Sequence, residues 1–156
     1  MKKILSLLTV YIIPIIIIAV FVDSLRYKFT NHPNTQTIFG TLNDWAASIG
    51  IPGLFSVHGL FSQYVIGSLE LLASLLLLAG FLPKYRSLGA MGAAIAFVIM
   101  TGALFFHLFT PLGIDPNSDG GGLFVMAVVL WVGSLVVVLT RCKEIQKLLG
   151  KKEGVE

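Results

Sequence analysis

The feature that most constrains this chain is an apolar run from Phe61 to Leu82 that carries a single charged residue, Glu70. A run of that length is enough for a helix to cross the hydrocarbon of a bilayer. A carboxylate at membrane depth costs on the order of 3 kcal/mol by insertion scales, so it faces a partner or a cavity. Gln63, Gly67, Glu70 and Ser74 recur at spacings of 4, 3 and 4, which puts them on one helical face. The pattern predicts a helix with a polar stripe turned inward and Leu, Ile, Val and Phe turned to lipid.

Composition supports a membrane setting. Of the 156 residues 56% are hydrophobic and 12% charged, against about 25% charged in a typical soluble domain. The length suits one compact bundle. Cys142 is the single cysteine, which excludes an intramolecular disulfide, a CxxC redox pair and a multi-cysteine metal site. A redox role would therefore need a borrowed cofactor.

The chain order predicts four spans. Met1-Lys2-Lys3 precedes an apolar run from Ile4 to Val22, longer than a signal-peptide core and with no small-x-small cleavage site after Ala19. A first span over about 4–28 is expected, kinked at Pro14. Asn31-His32-Pro33-Asn34 reads as a turn. Ile38, Leu42, Trp45 and Ile49 then repeat at 4, 3 and 4, the pattern of a short amphipathic helix lying in the membrane interface. Such a helix can serve as a packing lid over the bundle or as a docking site for a partner. The second span is expected over 61–82, closed by Gly80 and Pro83. The third, over 87–109, is rich in small residues that allow close helix packing or a homodimer. The fourth, over 120–140, follows the cap residue Asp119, and 141–156 forms a short basic tail.

Charge placement sets the expected topology. With four spans both termini lie on one side, and that side carries all of the 11 basic residues except Arg26 and Lys28. The positive-inside rule then puts both termini in the cytoplasm, with the protein integral to the cytoplasmic (inner) membrane. The net charge of +3 is on this reading a topology signal rather than a nucleic-acid footprint.

Threading the spans this way brings Arg26, Lys28, Glu70, His107 and Asp119 to the outer half of the bundle, with Gln63, Gly67, Ser74, Gly120 and Gly121 lining a polar cavity. Glu70 can pair with Arg26 or Lys28 to fix helix register, or it can hold a ligand or a proton. The amides of Gly120 and Gly121 can cap a helix or receive an anionic or carbonyl oxygen. His32, His58 and His107 do not make a metal or haem site. No P-loop, GxGxxG, HExxH or GxSxG element occurs, so nucleotide and hydrolase chemistry lack support.

Several short motifs resemble the DoxX-like family of small integral membrane proteins. They are Lys28-Phe29-Thr30 with His32-Pro33 and Ile38-Phe39; Gly67-x-x-Glu70-Leu71-Leu72-Ala73-Ser74 with Leu75 to Leu78; Leu88-Gly89-Ala90 with Thr101-Gly102-Ala103 and His107-Leu108; and Leu112-Gly113-Ile114 with Asp119-Gly120-Gly121 and Leu123-Phe124. The likeness covers about residues 26–130, although Thr41 to Ser62 is roughly ten residues longer than in many relatives, which changes the outer loop. The resemblance implies a four-helix membrane bundle associated with redox proteins. Some relatives are described as membrane subunits of quinone-linked oxidoreductases and others as partners of thiol- or superoxide-handling enzymes. No catalytic residue carries over.

The leading expectation is an accessory or quinone-interacting subunit of a membrane redox system. Glu70 and His107 would hydrogen-bond or exchange protons with quinone carbonyls, while Arg26 supplies positive charge. Two alternatives stay open: a small proton- or cation-coupled transporter using Glu70, and a non-catalytic membrane scaffold for a redox partner protein.

Overall fold

The computed structural model describes residues 2–144, and among them every regular element is helical. In chain order these are α1 (Lys2–Leu7), a wide π-type turn (Leu8–Ile12), α2 (Ile13–Phe29), α3 (Pro33–Ser48), α4 (Gln63–Ala79), a short 3₁₀ turn (Pro83–Tyr85), α5 (Arg86–Phe109) and α6 (Gly122–Thr140). Lys147, Lys151 and Lys152 of the expected basic tail lie outside the described residues.

Three helical stretches are long and apolar enough to cross a membrane: Ile4–Phe29, Pro83–Phe109 and Gly122–Thr140. The helix around Glu70 is shorter than its apolar run, at 17 residues. Ser62 takes an extended conformation and its hydroxyl accepts from Val65 N at 3.3 Å, an N-cap that leaves Phe61 outside. At the other end Gly80 stops the helix before Phe81 and Leu82. In the first stretch the expected irregularity falls one turn ahead of Pro14. Proline has no N–H and its ring collides with the carbonyl four residues back. The Leu8–Ile12 turn is wound wide, with Ile13 N bonding Leu8 O, which relieves that collision without breaking the helix.

α4 packs between α2 and α5, and α6 packs against α5 and α2. The four helices so close around Ile17, Phe21, Leu77, Ala96, Leu130 and Val137. In lipid the hydrophobic effect does not drive such packing, so close backbone approach must supply contact energy. α5 provides it. A Cβ on Gly92 would lie 2.8 Å from both Ala73 O and Leu77 N, and Gly89 abuts the backbone of Gly80. Gly89 and Gly92 of α5 are therefore used against α4 and the turn that ends it. Arg141, the first residue of the expected basic tail, is only 5% exposed. Its guanidinium lies over the Gly80–Gly89 crossing, with Nη1 3.3 Å from where a Gly89 Cβ would stand.

α3 buries Leu42 and Ala46 against Phe55 and Leu112, with Trp45 and Phe106 packed alongside. The apolar stripe expected to face the membrane interface thus closes largely on protein, and Ile49 at its end stays exposed. α3 is a lid on the end of the bundle where α2 and α5 finish and α4 and α6 begin.

Candidate functional site

The polar stripe of α4 is buried along its length: Gln63, Gly67, Glu70 and Ser74 all face inward. Glu70 is 3% exposed. Its carboxylate meets Lys28 of α2, whose Nζ lies 3.0 Å from Oε1 and 3.0 Å from Oε2. Ser24 Oγ donates to Oε2 at 3.1 Å and also receives a bond from Lys28 Nζ. Ser24 and Lys28 are one helical turn apart, so α2 presents both to α4 on the same face. Gly67 makes the approach feasible. A Cβ there would stand 3.2 Å from the Phe29 ring and 3.4 Å from Lys28 Cδ, so the absent side chain is the space through which the lysine stem reaches Glu70.

A second layer sits two turns nearer the lid. Gln63 Nε2 donates to Lys28 O at 2.7 Å and to Asn31 Oδ1 at 2.6 Å, while its Oε1 accepts from Gln36 Nε2 at 2.8 Å. Tyr64 OH donates to Asn31 Oδ1 at 2.9 Å. Gln63 thereby ties α2, α3 and α4 with one side chain. Asn31 stands at φ 54, a left-handed conformation that Asn tolerates better than most residues.

The other sequence-selected groups go elsewhere. Arg26 does not join the pair. Two residues from both Ser24 and Lys28, it points to the opposite side of α2, where its side chain is 69% exposed, bonds Asp23 at 3.2 Å and donates to Tyr27 OH at 2.9 Å. His107 is buried, but its Nδ1 is 2.6 Å from Gly113 O and its ring meets Phe124 edge-on at 5.6 Å. It staples the α5–α6 loop. Asp119 Oδ1 accepts from Gly121 N and Gly122 N at 3.0 and 3.1 Å, and Oδ2 from Leu123 N at 3.0 Å. The amide of Gly121 and the first amides of α6 are thus taken by a cap, and Gly120 and Gly121 stand at φ 72 and 80, where glycine avoids strain. Desolvation is the largest influence on Asp119 and pushes its carboxyl up. The hydrogen bonds with Leu123, the Asp115 side chain, Gly121 and Gly122 together outweigh it and hold the carboxyl below its ordinary value. Of the five ionisable groups expected to converge, only Lys28 and Glu70 touch.

Ser24, Asn31, Gln36 and Tyr64 were not singled out from sequence. Ser24 carried a usable signal, one turn before Lys28. Gln36 carried none, because its role depends on where α3 folds back. No group of three or more His, Cys, Asp or Glu side chains among the described residues is placed to hold a metal ion.

Compared with known protein families, curated proteins and solved structures, the chain matches none. The fold itself defines the class: among the described residues it is all-helical, with three helices long and apolar enough to cross a membrane.

Proposed function

We propose that the protein is a four-span, DoxX-like integral membrane protein that serves a membrane redox system as a non-catalytic accessory subunit, with both termini in the cytoplasm. On this reading α4 is the second of four spans, added to the three longer helices. Its 17 residues rise about 25 Å, at the short end of what crosses a bilayer, and Phe61, Phe81 and Leu82 extend its apolar length. Lys84, Arg86, Arg141 and Lys143 at the termini's end of the bundle supply the positive-inside bias.

The observation that carries the accessory reading is the closure of the Lys28–Glu70 pair. Glu70 is engaged by Lys28 and Ser24, His107 by Gly113 and Asp119 by its own helix, while Arg26 pairs with Asp23 on the exposed side of α2. Buried, satisfied pairs of this kind fix which helix faces which, the property a membrane scaffold needs.

One observation favours a second reading, in which a quinone head group visits the pair. The Lys28 side chain is 15% exposed, and its chain neighbour Phe29 forms a tilted ring pair with Tyr64, the centroids 5.9 Å apart. An ammonium can bond a quinone carbonyl, and an aromatic ring can stack on its flat ring.

Mass spectrometry of the organic extract from detergent-purified protein decides between them, comparing wild type with Glu70→Gln. Bulk lipid alone in both extracts, with a lowered melting temperature for the variant, supports the scaffold. A stoichiometric quinone in wild type that disappears in the variant supports the second reading and sinks the first.

A further inference from the structure

From Trp45 to Leu69 the chain carries no Asp, Glu, Lys or Arg. The middle of this stretch, residues 49–61, is a loop, and extramembrane loops ordinarily run over the surface in polar side chains. This one folds its backbone onto itself. Ile51 N bonds Ala46 O at 2.8 Å, Gly59 N bonds Ser56 O at 2.8 Å and Phe61 N bonds Leu54 O at 3.0 Å. A Cβ on Gly59 would overlap the carbonyls of Gly53 and Leu54, so the turns are wound too tightly for any other residue at that point.

The loop is anchored by Phe55, which is buried and meets Phe106 of α5 edge-on at 5.1 Å. Around that anchor the large apolar side chains point away from the protein. Ile49, Ile51, Val57 and Phe61 are all exposed, and Leu60 is 70% exposed. Phe106 also joins the loop to the outer surface of α5, where Phe105, Leu108 and Phe109 are exposed in turn. The apolar surface of a span-length helix therefore continues onto the loop without a charge interrupting it.

We infer that the loop of residues 49–61 lies in the interfacial layer of a lipid bilayer, with Leu60, Val57 and their neighbours reaching down to the acyl chains beside the end of α5. This rests on the membrane-spanning reading above. Backbone that meets hydrocarbon must satisfy its own N–H and C=O groups. Here the amides of Ile49, Gly50, Ile51, Ser56, Gly59 and Phe61 bond carbonyls of α3 or of the loop, and the remaining amides, with the exposed His58, set the loop at the headgroup boundary, where water still reaches them. The lipid-facing element at this end is thus the loop rather than α3, whose stripe is spent on Leu42 and Ala46. Lipid is the occupant because the exposed side chains prolong a surface already facing it.

Site-directed spin labelling in phosphatidylcholine–phosphatidylglycerol vesicles tests this, using a Cys142→Ser background. Labels are placed at Leu60→Cys and, independently, at Val57→Cys, so that one misfolded variant does not end the test. Val98→Cys on the outer face of α5 reports the span, and Asp44→Cys on α3 reports water. Collision with oxygen should exceed collision with a water-soluble nickel complex at Leu60 and Val57, as at Val98, and the order should reverse at Asp44. A nickel-dominated signal at Leu60 and Val57 would overturn the inference, with the membrane reading intact if Val98 still prefers oxygen. Low accessibility to both reagents at the loop would also overturn it, assigning the surface to a protein partner or a second copy. A nickel-dominated Val98 would instead remove the membrane reading itself.

Discussion

Lys28 Nζ lies 3.0 Å from each carboxylate oxygen of Glu70, across the contact between α2 and α4. The relationship sets helix register. Sliding α4 by one residue would turn Glu70 through about 100° and leave two charges buried apart. Gly67, one turn earlier on the same face, gives the lysine stem its path. The pair is one unit made of three residues: acid, base and the gap between them.

A buried pair is strongly destabilising to break and often neutral to replace whole. Lys28→Met and Glu70→Leu should each lower stability by about 3–5 kcal/mol, since each strands the other charge. The double variant should recover most of that loss. A double-mutant cycle on unfolding in mixed detergent measures it. Additive losses would mean that the two residues do not act as a unit.

The α4–α5 crossing predicts a contrast between two glycines of the same helix. A Cβ on Gly92 would stand 2.8 Å from Ala73 O, whereas the nearest atom to one on Gly102 is a Phe106 ring carbon at 4.0 Å. Gly92→Ala should destabilise by about 1–3 kcal/mol through overpacking. Gly102→Ala should be neutral or mildly stabilising, as alanine is the better helix former. Thermal melts of the two variants suffice, and equal effects would contradict the close approach.

What the sequence made legible follows the range of the forces involved. The helices at residues 87–109 and 120–140, and the inward stripe of α4, are set by local periodicity and agree closely with Arg86–Phe109, Gly122–Thr140 and the buried faces observed. The cap at Asp119 was readable for the same reason. Convergence of Arg26 with Glu70 was not, because chain order gives depth along the bundle but not the angle around a helix. That angle was available in the Ser24–Lys28 spacing, which excludes residue 26 from the same face. The bearing of α3 was only partly legible: the lid reading agrees with its buried face, but an apolar stripe does not itself say whether lipid or protein covers it. Leu112 and Phe55, distant in sequence, do. The burial of Arg141 over the Gly80–Gly89 crossing likewise depends on a tertiary contact that no local pattern announces.

Gln63 makes the most widely connected side-chain contact at the lid end. Gln63→Leu would leave Lys28 O, Asn31 Oδ1 and Gln36 Nε2 without it, and an unsatisfied buried polar group costs about 1–3 kcal/mol. The loss should be local. Amide hydrogen exchange should rise in α3 and in the Asn31 turn by roughly tenfold or more, which corresponds to about 1.4 kcal/mol of opening free energy, while α5 and α6 keep their protection. Unchanged exchange in α3 would show that Leu42, Ala46 and Phe55 alone hold the lid.

The cap at Asp119 predicts an acid-dependent loss of stability. Its carboxyl is held below the ordinary value in the folded protein by hydrogen bonds with Leu123, the Asp115 side chain, Gly121 and Gly122, which together exceed the desolvation opposing them. A folded value below the unfolded one means that the ionised form favours folding. The contribution is therefore complete above the unfolded pKa of about 3.9 and fades as pH falls through the lower folded value. Asp119→Ala removes both the acceptor and the charge, and it should lower the melting temperature modestly at neutral pH. That gap between wild type and variant should hold steady down to about pH 5 and narrow below about pH 4. Melts of both proteins in one detergent from neutral to acid pH provide the check. A gap that stays constant into the acid range would mean that the neutral carboxyl caps α6 as well as the carboxylate does.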